Sequence, residues 1–200
     1  MRLKIATVGE TVLRTKTRKL MSEEIKSAHI QELIEHMRET MEDAPGVGLA
    51  APQIGLPLQL AVIEDKAEYQ ATLPESDLHE RERKPIPFHV IINPELRLLS
   101  PPEVLFFEGC LSLAGFTAIV PRAARVGVDA LDHKGNPVHI DASGWYARIL
   151  QHEIDHLGGT LYIDRMRSRS FSSMENYNRH WKAKTQSELI LDFSLIANED

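Results

Sequence analysis

The stretch GWYARILQHEIDHLGG, residues 144–159, decides how the rest of the chain is read. Gly144 to Leu157 reads as a helix, and Gly158-Gly159 suits its C-terminal end. On a helix, residues four apart share a face. His152 and His156 therefore project from successive turns toward one point. Two imidazoles so placed can hold one divalent cation, and Glu153 lies beside it as a proton-transfer group. Trp145 and Ile149 continue the same stripe one and two turns earlier and give that point an apolar floor. Asp155 lies about 100° off the ligand face, which suits a structural ion pair. The other histidines (His29, His36, His79, His89, His133, His139 and His180) show no ligand spacing and read as surface or packing residues.

Around this helix the chain has an ordinary composition. It has 200 residues, 42% hydrophobic and 26% charged, enough for one globular domain with a real core. Residues 1–200 are read as a single domain, with the segment from about 165 as an appended helix or tail. The net charge of −6 argues against a stable nucleic-acid complex. No run reaches the roughly 18 apolar residues of a membrane span, so no membrane role is expected. The opening MRLKIATVGE has neither the apolar core of a secretory signal nor an organellar leader. Cytoplasmic localisation in a bacterium is expected, with a mature organellar form as the alternative. The single cysteine, Cys110, excludes an intramolecular disulfide and suits a reducing compartment.

Residues 22–43 predict a surface helix. Ser22 is its expected N-cap, Glu23 and Glu24 favour its positive end, and Ile25, Leu33, Ile34, Met37 and Met41 share a face. Pro45 and Gly46 end it. PGVGLAAPQIG, 45–55, reads as a small-residue loop, LQLAVIE, 58–64, as a buried strand, and 65–88 as an exposed loop. HVIINP, LRLL, EVLFFEG and TAIVPR read as short strands, and ARVGVDALD and PVHID flank HKGN as a hairpin. Helix, strands, then helix is the order of an α+β fold. The expectation is mixed or antiparallel sheets packed around a central metal-binding helix, with an N-terminal surface helix.

The third ligand is not named by the helix. Asp164 and Glu175 lie downstream and leave a zinc endopeptidase open, although LGGTLYID lacks the further histidine of a metzincin. Upstream, Cys110 sits in FFEGCLSLAGF, preceded by a glycine that permits close backbone approach. A thiolate and two imidazoles leave one position open for water. That donor set suits Fe(II), Co(II), Ni(II) or Zn(II).

With GVGLAAPQ (46–53), EGCLS (108–112) and QHEIDH (151–156) intact and in order, the chain resembles the peptide deformylases, from about GETVLR (9–14) to LYIDRM (161–166). The resemblance implies hydrolytic removal of the N-formyl group from the formylmethionine of nascent polypeptides, with release of formate. It implies that Cys110, His152 and His156 hold one divalent metal ion, Fe2+ natively, with Zn2+, Ni2+ or Co2+ in purified protein. Glu153 is then the general base and acid. Gln53 stabilises the oxyanion through its side-chain amide and Leu111 through its backbone N–H, and Gly48 gives a backbone contact to substrate. Val47, Phe106, Trp145 and Ile149 line the pocket for the first side chain, and Arg122 lies near the bound peptide unless it is a plain surface arginine. Trp145 departs from the commonest bacterial pattern and is similar to the branch that includes organellar deformylases; the 65–88 segment is long for the family. The expected partner is a formylated nascent peptide. The six Lys or Arg against one acid between Arg165 and Lys184 point further to the ribosome surface. Two alternatives remain: the zinc endopeptidase, against which Cys110 in EGCLS speaks, and a catalytically inactive homologue that binds peptide termini, against which Glu153 and Gln53 speak.

Overall fold

The computed structural model describes residues 2–44 and 46–197. The N-terminal helix forms in two pieces, a single turn α1, Ser22–Ile25, and α2, Ala28–Asp43. Ser22 is therefore inside the first turn, and the cap of the long helix is Ser27, whose Oγ accepts from Ile30 N at 3.3 Å. Glu24 accounts for the break. Its carboxylate accepts from Met21 N at 2.8 Å and its carbonyl accepts the Ser27 hydroxyl at 2.6 Å, so the chain turns and restarts. Pro45, read as the helix stop, lies outside the described residues. Ile30, Leu33, Ile34, Met37 and Met41 form the buried face of α2.

The stretch read as a small-residue loop contains a strand, β1, Gly48–Ala50, and then a 3-10 turn, Ala51–Ile54. The next strand, β2, Leu60–Asp65, is buried at every residue. Leu60 and Val62 face the core under α2, while Ala61 and Ile63 face a second core, as strand alternation requires. Residues 65–88 are more than an exposed loop. They hold the short helices α3, Ala67–Gln70, and α4, Glu75–Glu80. The segment is anchored where Arg83 Nε and Nη2 donate to the fully buried Asp65 at 2.8 and 2.9 Å.

HVIINP and LRLL belong to one strand, β3, Ile86–Leu98. Its register breaks between Ile92 and Glu95, where Asn93 takes φ 51°, a conformation asparagine tolerates. The Asn93 side chain both donates to Leu20 O and accepts from Leu20 N, each at 2.9 Å. Then come β4, Val104–Glu108, β5, Phe116–Arg122, β6, Arg125–Leu131, and β7, Pro137–Ser143. The β6–β7 hairpin is as expected. Asp132 Oδ1 accepts from Lys134 N and Asn136 N, both at 2.8 Å. The second long helix, α5, Gly144–Leu157, has the bounds read from sequence. The charged C-terminal stretch forms β8, Ser172–Ser173, α6, Met174–His180, and α7, Gln186–Ala197.

The strands make a five-stranded sheet, β1-β2-β3-β6-β7, and a three-stranded sheet, β4-β5-β8. All six pairings between these strands are antiparallel, with one isolated parallel bridge between Arg18 and Leu58, giving the expected α+β architecture. Helix α5 packs on the larger sheet through Ala147, Ile149, Leu150 and Leu157. It reaches the smaller sheet through Arg148, which donates to Val104 O at 2.7 Å and Val120 O at 2.9 Å. Gln151 bonds Ala123 through both N–H and C=O at 3.0 and 2.9 Å. These bonds set the rotation of α5, and with it where His152, Glu153 and His156 point.

Candidate metal centre

The Sγ of Cys110 and one ring nitrogen each of His152 and His156 lie within 4.8 Å of one another. Helix α5 supplies the histidines, and the turn leaving β4 supplies the cysteine. Sγ is 3.3 Å from His156 Nε2. His152 Nδ1 is committed to Glu108 Oε2 at 3.0 Å, which leaves Nε2 for the shared point. That is how metal-ligating histidines are oriented. Three converging soft and borderline donors fit a divalent transition ion.

Glu108 carries most of the surrounding electrostatics. Its two oxygens accept from Arg122 Nε at 2.9 Å, Arg122 Nη2 at 3.0 Å and Arg148 Nη1 at 2.7 Å, besides His152. Burial alone would raise its pKa. The hydrogen bond from His152 and the Arg122 guanidinium outweigh that and hold the carboxyl well below the usual range. Burial draws Arg148 down to about 10 despite the same carboxylate.

Glu153 is 4% exposed and lies flat against β1. A Cβ built on Gly48 would stand 2.3 Å from its Oε1, so glycine here is what lets the carboxyl hold this position. Its Oε2 is buried without a hydrogen-bond partner. Burial, partly offset by His152, raises the carboxyl to about 7, where a proton can be taken and returned near neutrality. Gln53, 2% exposed, has its amide oriented. Oε1 accepts from Ala50 N at 2.9 Å, which turns Nε2 toward Cys110 Sγ at 3.5 Å and Ser112 Oγ at 3.3 Å. Leu111 opens the 3-10 turn Leu111–Leu113 directly after Cys110, and the first N–H groups of such a turn have no partner within it.

Trp145 and Phe106 meet edge-on, ring centroids 6.2 Å apart. Val47 and Ile149 belong with Trp145 to the core under α5. Arg122 is neither on the surface nor turned to a peptide. It is 3% exposed, with Nε and Nη2 on Glu108 and Nη1 on Asp155 Oδ2 at 2.5 Å. Its direct substrate role is therefore corrected to one of support. Asp155 is the expected ion-pair residue, held also by Arg165 at 2.7 Å. The endopeptidase's downstream ligands are elsewhere: Asp164 pairs with Arg14 and Glu175 with Arg179. The reading of the residues gave no role to Glu108, Arg148, Ser112 or Tyr162, whose ring stacks on His152 at 6.4 Å. Arg148 left one signal, a cation four residues before His152 on an apolar stripe.

The family model for polypeptide deformylase matches residues 2–172. The chain belongs to the polypeptide deformylase family. It is 49% identical over 172 residues to peptide deformylase 1A, chloroplastic, of Solanum lycopersicum, covering 86% of this chain and 62% of that relative's length. It is 44% identical over 183 residues to peptide deformylase 3 of Streptomyces avermitilis, covering 92% of this chain and 80% of the relative. A class I type b peptide deformylase from Acinetobacter baumannii, solved with Met-Ala-Ser bound, superposes with a TM-score of 0.73 at 30% identity, over 83% of this chain and 99% of that one. Among the described residues no helix is long and apolar enough to cross a membrane.

Proposed function

We propose that this deformylase-family chain hydrolyses the formamide of N-formylmethionyl peptides, releasing formate and a free amino terminus. The observation that carries the reading is one constellation. Three metal-capable donors lie within 4.8 Å, a buried carboxyl raised to about 7 stands beside them, and a fixed amide N–H is 3.5 Å from the thiol. A divalent ion held by Cys110, His152 and His156 would supply a water acidic enough to ionise near neutral pH and polarise the formyl oxygen. Glu153 is placed to take a proton from the attacking water and would return it to the leaving amine nitrogen. Gln53 Nε2–H and the Leu111 N–H donate to the oxygen where charge develops, without adding a further charge to the site. Gly48 brings backbone alongside the substrate, and Val47, Phe106, Trp145 and Ile149 take the methionine side chain.

Fe(II) is the proposed native ion, with Zn(II), Ni(II) or Co(II) able to occupy the same donors. The peptide reading draws support from the Met-Ala-Ser complex of the Acinetobacter baumannii relative. The proposed compartment is a reducing one, the bacterial cytosol or the interior of an organelle, where the Cys110 thiolate stays free. Ribosome contact through residues 165–184 rests on their charge excess alone. Arg165, Arg179 and Lys184 already pair with Asp155, Glu175 and Asp192. The deciding experiment measures formate release from formyl-Met-Ala-Ser beside cleavage of an internal peptide bond. Formate without internal cleavage is expected, and internal cleavage without formate would overturn the reading.

A further inference from the structure

The segment between β2 and β3 ends on the helix that carries the site. Trp145 N, in the first turn of α5, donates to Arg81 O at 2.8 Å. Ser143 Oγ donates to Glu82 at 3.0 Å. A Cβ on Gly144, whose φ is 58°, would stand 2.4 Å from Glu82 Cβ. On the other side Arg83 is locked to Asp65. Arg81 is thus clamped between two fixed neighbours. Its guanidinium lies 5.1 Å from the Trp145 ring and 5.3 Å from the Phe106 ring.

Arg81 and Trp145 share a further property. Arg81 Nε and Trp145 Nε1 are both buried, and neither has a hydrogen-bond partner among the described residues. Both groups can only donate. Buried orphan donors are rare in folded proteins, because each loses its hydrogen bonds to water without a replacement. The two orphan donors sit on side chains in cation–π contact, the Arg81 guanidinium 5.1 Å from the Trp145 ring. The neighbouring cations do not share this state, since Arg83 and Arg148 are matched by Asp65 and Glu108.

We propose that Arg81 is a specificity-determining residue of the pocket for the first side chain, offering with the Trp145 indole two donors to an acceptor on that side chain. This rests on the deformylase reading and on the place it gives Phe106 and Trp145. Methionine's thioether is a weak acceptor, whereas a sulfoxide oxygen is a strong one. The substrate class this adds is formyl peptides that begin with methionine sulfoxide. Water cleaves the formyl C–N bond as before, giving formate and the free amine, and the S=O group is unchanged. An apolar pocket would reject that oxygen, because it would be buried unpaired.

The test compares kcat/KM of the metal-loaded enzyme, read as formate release, for formyl-Met-Ala-Ser, formyl-norleucyl-Ala-Ser and the methionine sulfoxide peptide. Norleucine matches methionine in shape and has no acceptor. In the wild type the sulfoxide peptide should be cleaved at least as well as the norleucine peptide. Arg81→Met should lower the sulfoxide-to-norleucine ratio roughly ten- to hundredfold, the worth of a hydrogen bond from a charged donor. Arg81→Gln, which keeps a donor, should recover part of it. Should Arg81→Met melt below the assay temperature, Trp145→Phe removes the other donor and should lower the same ratio. A wild type that rejects the sulfoxide, or a ratio unmoved by these substitutions, would show that the donors hold only water and would overturn the proposal. Absence of formate even from formyl-Met-Ala-Ser would instead sink the deformylase reading beneath it.

Discussion

Cys110→Ser and Glu153→Gln should fail in different ways. A serine hydroxyl is a poor substitute for a thiolate at neutral pH, so Cys110→Ser is expected to lose metal and activity together. Glu153→Gln keeps all three donors and loses only the group placed to move the proton. Its kcat should fall roughly 10²–10⁴-fold with metal content unchanged. Metal analysis beside formate release on both proteins separates the roles, and a metal-depleted Glu153→Gln protein would contradict them. Glu108→Gln should be the more damaging change to the fold. It leaves Arg148 buried without its carboxylate and Arg122 with Asp155 alone. Breaking a buried pair from one side costs about 3–5 kcal/mol. The expected outcome is a lower melting temperature together with about 10–100-fold weaker metal binding in a chelator competition, since His152 loses its orienting partner.

At the scale of elements, β1 and α5 meet so closely that a methyl group does not fit between them. Gly48→Ala would put Cβ where the Glu153 carboxyl lies, 2.3 Å from Oε1. The carboxyl must swing away, and kcat should drop about tenfold or more while metal content holds. Wild-type turnover in Gly48→Ala would remove Glu153 from the proposed chemistry. Strand β3 carries a separate pH sensitivity. The half-buried His89 places Nε2 2.9 Å from Tyr146 OH and Nδ1 2.9 Å from Pro87 O. Burial holds its pKa below the ordinary histidine value, only partly offset by the Pro87 carbonyl. The unfolded chain therefore takes up the proton first. Stability present above the unfolded value of about 6.5 is lost as pH falls from there through the lower folded value. Urea midpoints on either side of that pH should differ more for wild type than for His89→Gln; equal slopes would exclude His89 as the cause.

For the whole molecule, the candidate centre is also a joint between layers. Cys110 follows β4 of the smaller sheet, while His152 and His156 ride on the helix packed against the larger one. An ion bound to all three favours the folded chain by mass action, about 4 kcal/mol at a thousandfold excess over Kd. For a chain of this size that is a rise of roughly 8–16 °C in melting temperature. Chelation should lower the melting temperature and re-addition of Ni(II) restore it. A melting temperature indifferent to both would argue that the donors hold no ion.

The sequence by itself determined what local geometry controls. Helix α5, the convergence of His152 with His156 and the β6–β7 hairpin were legible because helix pitch and turn chemistry act over a few residues. The three motifs named the family because their residue types are tied to one chemistry. Where a single side chain redirects the backbone, the local reading slipped. Glu24 moved a helix start from Ser22 to Ser27, and Asn93 bonded to Leu20 joined two expected strands into β3. Only the tertiary structure decided that Arg122 is a buried support, that Glu108 orients His152, and that the 65–88 segment sets Arg81 on Trp145. Those contacts join residues 14 to 64 positions apart, and their partners are chosen by how sheets and helix pack, which no local pattern encodes.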